Sequence, residues 1–182
     1  ILTNLHLHPD ERRLDALLRQ ADEQMRTALR ALAEAADARN PLILLGETLR
    51  QADECAAKNA ENSLTDVPTR EIHYINMRRQ QRRILLQVTQ DAQKVQGHPP
   101  QEAEVRALIG RIFAEYDREN DCTSLLSALH DLLAEMQRQP LPATRGEFED
   151  RALLYVLLRR MEDFLLLKRE FYETYGFEKI TN

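Results

Sequence analysis

The sequence predicts an all-α fold, an antiparallel helical bundle of about six helices with the C-terminal helix at its centre. Three observations carry this expectation. Apolar residues recur in alternating steps of three and four along most of the chain, the signature of one-sided helices. The 182 residues include only five Gly and no Trp, and they are rich in Ala, Leu, Glu, Gln and Arg, which lose least on entering a helix. Pro and polar clusters break the pattern into segments joined by short connections, which favours antiparallel neighbours. No stretch shows the two-residue alternation of a half-buried strand.

Helix one is expected from about Pro9 to Arg39, with a seam of Leu14, Leu18, Ala21, Met25, Ala28, Leu32 and Ala35. At the helical rise this rod is roughly 45 Å long. Asn40-Pro41 reads as an N-cap followed by a first-turn proline and opens helix two. Its seam runs through Leu42, Leu45, Leu49, Ala52 and Ala56 towards Ser63. Thr69 opens helix three, reaching about Val95, with Tyr74, Met77, Gln81, Ile84, Val88 and Val95 in register. The run from Gln96 to Pro100 is a firm stop. Helix four is expected from about Gln101 to Arg118, and Asp121 is placed to cap helix five, whose apolar face is Leu125, Leu126, Leu129, Leu132, Leu133 and Met136.

The linker Pro140-Leu141-Pro142 leads into helix six. Thr144 stands three residues before Glu147, the spacing at which each side chain can bond the other's backbone N–H, and Ala143 and Phe148 occupy the positions of a hydrophobic staple. Helix six extends to about Tyr175, with Gly176 as a left-handed terminator. Ala152 to Leu158 is apolar throughout and Phe164 to Leu167 adds a second apolar run. A helix apolar on nearly all sides belongs in a bundle's interior.

Length gives a single domain over residues 9–182, with residues 1–8 as a linker. The net charge of −5 argues against binding nucleic acid through the whole surface. Cys55 and Cys122 are isolated thiols, which fits a reducing compartment and two buried small hydrophobes. No apolar run approaches the ~18 residues that span a bilayer, and residues 1–8 lack the features of a signal peptide. The chain begins at Ile1 without Met, which reads as a cut through a longer protein.

Catalytic chemistry finds little support. The glycines are scattered, so no phosphate-cradling turn forms. Neither His73 nor His130 has the preceding Glu of a di-iron bundle site, and His6 and His8 lie at the start of the chain. No nucleophile elbow occurs. The expectation is a protein that is not an enzyme, with no cofactor and no metal. Two surfaces remain. Arg78, Arg79, Arg82 and Arg83 fall on the half of helix three opposite the seam set by Met77, forming a basic face. Solvation and ion pairing, lipid headgroups, or a carboxylate or phosphate ligand are its competing uses. RNA is the weakest use, because no aromatic residues interleave with the arginines. Gln81 sits at a seam position, where a buried amide either fixes register or lines a small pocket with Tyr74, Met77 and Tyr155.

Two blocks carry a resemblance. The segment from His73 to Leu85 and the segment from Pro140 to Tyr155 resemble the C-terminal soluble domain of aromatic acid exporters. Met161 to Leu165 and Lys168 to Phe171 resemble that family's closing helix. The family pattern has Asn where this chain has Asp150, and an acidic residue or other helix former where it has Gly146. The Asp150 change would exchange an amide hydrogen bond for an ion pair with Arg151 or Arg145.

The resemblance implies a bacterial integral membrane parent, related to fusaric acid resistance proteins. Its transmembrane region would precede this domain on the cytoplasmic face of the cell membrane. It also implies aromatic carboxylates as the exported class. The expected role is an accessory or regulatory cytoplasmic domain partnered by its own transmembrane part, acting through assembly, gating or sensing of an aromatic carboxylate. The alternative is a free-standing helical module that binds a partner protein or senses a small ligand. Helix one's long seam and narrow Ala-rich face point to a homodimer.

Overall fold

The computed structural model describes residues 9–62 and 69–176. Among them lie six helices and no strands: α1 (Pro9–Ala33), α2 (Arg39–Asn62), α3 (Thr69–Ala92), α4 (Pro100–Ala114), α5 (Thr123–Arg138) and α6 (Arg145–Tyr175). The linker assigned to residues 1–8, with His6 and His8, lies outside the described residues.

Helices α1, α3, α6 and α4 form a closed four-helix core, each packing on the next. α2 braces the α1/α3 side and α5 the α4/α6 side. Pairs across the seams set the directions. Cys55 near the end of α2 meets Asp10 at the start of α1, and Arg160 of α6 meets Asp91 at the end of α3. The antiparallel arrangement expected of sequence neighbours is present for α1 and α2, whereas α3 and α4, though consecutive, do not pack on each other.

Several boundaries differ from the sequence reading, each for a local reason. α1 stops at Ala33, six residues early, because Ala35 adopts a left-handed φ of 59° and the Ala36 N–H returns to the Ala31 carbonyl at 2.8 Å. Ala35 therefore leaves the seam. The Asp37 carboxylate accepts the Arg39 N–H at 2.9 Å, so α2 opens before Asn40-Pro41. α4 ends at Ala114 rather than Arg118, which turns Tyr116 and Arg118 out of a helix and towards the core. The N-cap position of α5 is Cys122, left-handed at φ 63°, and Asp121 acts from one residue earlier, accepting the Thr123 N–H at 2.9 Å.

At α6, Thr144 accepts the Glu147 N–H at 3.1 Å, while the Glu147 carboxylate takes the Ala143 N–H at 2.8 Å instead of Thr144's. The staple does not form: Phe148 is 61% exposed. Gly176 closes the helix at φ 63°, donating its N–H to Tyr172 at 2.7 Å.

The expectation that five helices surround the last one holds for three of them. α6 packs on α3, α4 and α5, and α1 and α2 lie beyond α3 and α4. Leu154, Leu157, Leu158, Met161, Phe164 and Leu165 are buried, but Ala152, Val156 and Leu166 reach solvent. The seam of α1 is wholly internal, with Leu14, Leu18, Ala21, Met25, Ala28 and Leu32 buried against α2, α3 and α4. It offers no face to a second chain.

Candidate functional site

The interior of the four-helix core contains a charged cluster. α3 must face α1, α2 and α6 together, and it carries a second seam for this purpose: Ile75, Arg78, Arg82, Leu85 and Thr89, again in steps of three and four. Arg78 is fully buried within it, so the expected four-arginine face does not exist as a unit. The remaining arginines diverge. Arg79 pairs with Asp53 at 2.9 Å, Arg82 donates to the Leu42 carbonyl at 2.6 Å, and Arg83 faces solvent.

Arg78 meets partners from α1, from α3 itself and from the turn after α4, and reaches α6 only through Gln81. Its guanidinium donates to Asp22 of α1 at 3.0 Å, to the Tyr74 hydroxyl at 2.8 Å and to the Gln81 amide oxygen at 2.6 Å. Gln81 passes the chain on, donating to the Phe164 carbonyl of α6 at 2.8 Å. Asp22 also accepts from the Tyr74 hydroxyl at 2.5 Å and from Arg118 at 2.8 Å. Arg78 Cζ lies 4.9 Å from the ring centroids of both Tyr74 and Tyr116, a cation–π arrangement strengthened by desolvation. Lys168 of α6 sits 5.5 Å from the Tyr116 ring and donates to the Asp117 carbonyl.

The electrostatics follow from this packing. Burial opposes the charge on Arg78, but Tyr116, Tyr74 and Asp22 outweigh it and hold its pKa above the ordinary arginine value. Burial pushes the Tyr74 and Tyr116 phenols up, so both stay neutral. Among the described residues no carboxylate lies at hydrogen-bond range of Lys168. Burial first, and the Arg78 charge second, lower its pKa to about 8.

The pocket expected from Tyr74, Met77, Gln81 and Tyr155 is not assembled. The first three are buried neighbours on α3, and both ends of the Gln81 amide are engaged. Tyr155 stands nine residues before Phe164 on α6, about 13 Å away along the helix, where it accepts from Arg159 at 3.0 Å. Met77 instead borders an open cleft of about 440 Å³ between the start of α3 and the end of α6. His73, Phe171 and Tyr175 supply its aromatic wall, with Tyr74 and Phe171 rings 5.3 Å apart and Phe171 and Tyr175 rings 4.9 Å apart. Glu170 also lines this cleft, whereas no Arg or Lys among the described residues does.

The second resemblance block has a mechanical role. Asp150 forms no ion pair with Arg151 or Arg145. Its buried carboxylate accepts the N–H groups of Gln96 and Gly97 at 3.0 and 2.7 Å, fastening the α3–α4 turn to the first turns of α6. Arg151 pairs with Glu147 at 2.5 Å, and Arg145 with Glu149 at 2.9 Å. A Cβ on Gly97 would meet Asp150 Oδ2 at 2.7 Å, so the clasp requires the bare backbone.

Sequence reasoning missed Asp22, Tyr116, Arg118 and Lys168. The second seam of α3 was the available signal for Arg78. Nothing local marks the other four, because their roles arise only when three elements converge.

The family model described as "Putative aromatic acid exporter C-terminal domain" matches residues 5–169. The chain belongs to this family. The chain is 28% identical over 125 residues to "Uncharacterized protein YqjA" of Bacillus subtilis (strain 168), a match covering 69% of this chain and 39% of that protein. The chain thus spans well under half of that relative. The crystal structure titled as a "putative membrane protein from Clostridium difficile 630" shares the fold, with a TM-score of 0.80 at 23% identity over 89% of this chain and 98% of that one. Among the described residues no helix is long and apolar enough to cross a membrane, and no group of three or more His, Cys, Asp and Glu is placed to hold a metal ion.

Proposed function

We propose that this exporter-family domain is an accessory, regulatory part of an aromatic acid exporter, lying on the cytoplasmic side of the membrane and acting on the membrane part through assembly or gating. The family match over residues 5–169 carries the reading. The Asp22–Tyr74–Arg78–Gln81–Phe164 chain supports it, because it links α1, α3 and α6 through directional bonds. Such a chain makes the bundle transmit displacement as one body rather than helix by helix. The proposed role is non-catalytic, a reading supported as far as thiol chemistry goes by Cys55 and Cys122, which are buried and whose pKa values burial raises.

The test is export of an aromatic carboxylate from cells expressing the complete exporter gene, with and without this domain, and with Arg78→Met. Reduced export per amount of protein in the membrane is expected from both changes. Unaltered export from both would overturn the reading.

A second reading, a sensor of small aromatic ligands, is favoured by the aromatic wall of His73, Phe171 and Tyr175. Its chemistry disfavours the carboxylate expected from the sequence, since Glu170 lines the cleft and, among the described residues, His73 is the one basic residue there. A thermal-shift series should therefore rank neutral aromatic compounds above their carboxylates. A preference for carboxylates would contradict this assignment.

A further inference from the structure

Four of the six large hydrophobic residues exposed among the described residues belong to α6 or the loop that leads into it: Leu141, Phe148, Val156 and Leu166. At 100° per residue, Phe148, Ala152, Val156, Arg159, Asp163, Leu166 and Glu170 fall within an arc of about 80°. This arc lies opposite the face that α6 buries against α3, α4 and α5. Their spacing is again three and four, the repeat of a helix–helix seam. α6 is thus amphipathic twice, with one seam filled and one bare.

The bare seam is self-complementary. An antiparallel copy related by a two-fold axis at the level of Met161 sets residue i over residue 322 − i, a register that follows from sequence arithmetic alone. Arg159 then faces the partner's Asp163, and Val156 faces the partner's Leu166, each twice by symmetry. Asp163 forms no ion pair among the described residues, whereas Arg159 shares its charge with Glu162 at 2.8 Å. Ala152, small and exposed, allows the helices to approach at one end of the seam.

We propose that the outer face of α6 is a homodimer interface, built on an antiparallel α6–α6 pair with reciprocal Arg159–Asp163 contacts. The seam is narrow. From Ala152 to Glu170 it is about 27 Å long and about 10 Å wide, roughly 300 Å² per copy, against the ~800 Å² per partner of a standard stable interface. The dimer is consequently weak and concentration-dependent. This inference concerns a different surface from the seam of α1, which is internal, and it does not rest on the exporter reading.

Sedimentation equilibrium of the described chain, over a hundredfold range of concentration reaching the millimolar, tests it. The wild-type chain is expected to show reversible monomer–dimer exchange. Asp163→Arg, which disturbs no internal ion pair, should weaken dimerisation at least tenfold, and Arg159→Glu likewise. The double variant Arg159→Glu/Asp163→Arg restores opposite charges across the axis and should return to within about threefold of wild type. A wild-type chain that stays monomeric throughout would overturn the proposal. So would single variants without effect, or a double variant that fails to recover.

Discussion

The two segments that resemble the exporter family, His73 to Leu85 and Pro140 to Tyr155, hold the fold in opposite ways. The first places a full charge, Arg78, where no solvent reaches, and surrounds it with the Tyr74 hydroxyl and the Gln81 amide of its own helix and the Asp22 carboxylate of α1. The second works near the surface through backbone groups: Thr144 starts α6, and Asp150 ties down Gln96 and Gly97. A buried charge cannot lose a partner cheaply, because the remaining group keeps its desolvation cost. A cap or clasp that fails can recruit water. The difference teaches which polar residues in a helical protein are sensitive: those whose partners come from distant elements inside a dry core.

Substitutions can sharpen this contrast, and the largest effect is expected in the cluster. Asp22→Asn leaves Arg78 without a carboxylate and Arg118 with Asp15 alone, at 3.8 Å, and should lower stability by about 3–5 kcal/mol in urea unfolding.

Lys168 gives the next effect, read as pH dependence. Its pKa is lowered to about 8 in the folded chain, from 10.5. Below about pH 8 both states carry the charge and the folded state bears its full cost. Between about 8 and 10.5 the folded state releases the proton while the unfolded chain keeps it, so this group makes stability rise with pH. Lys168→Met should raise stability near pH 7 by about 2–3 kcal/mol and remove that rise. A parallel pH profile in the two proteins would break the assignment.

The clasp comes third. Asp150→Ala frees two N–H groups and should cost about 1–3 kcal/mol, with faster hydrogen exchange at Gln96 and Gly97. Thr144→Ala removes one cap and should cost about 1 kcal/mol. Arg79→Ala breaks a half-exposed pair with Asp53 and should change stability by less than about 1 kcal/mol. If Arg79→Ala proved as damaging as Asp22→Asn, the distinction between buried and surface charge would fail.

The elements were legible because each was announced locally. The periodic seams gave six helices, and Thr144 and Gly176 announced ends that form where expected. Ends that differ depend on non-local features: Ala35 takes a left-handed turn that no Gly or Asn signalled, and α4 shortens so that Tyr116 can enter the core. Arg78 was misplaced because one seam was assumed for a helix with three neighbours; Ile75 and Leu85, on Arg78's side, indicated the second. Phe148 was assigned to a staple on spacing alone, yet Ala143 offers it too little surface to cover. The partners of Arg78 were illegible for a simpler reason. Asp22 and Tyr116 stand 56 and 38 positions away in sequence, and no spacing rule reaches that far.

A double-mutant cycle between Asp22 and Arg78, using Asp22→Asn, Arg78→Met and the combination, tests the buried charge cluster most directly. Each single change should be strongly destabilising, and the combination should be milder than their sum by about 2 kcal/mol or more. Additive losses, with coupling near zero, would contradict the claim that these two groups hold the bundle's interior together.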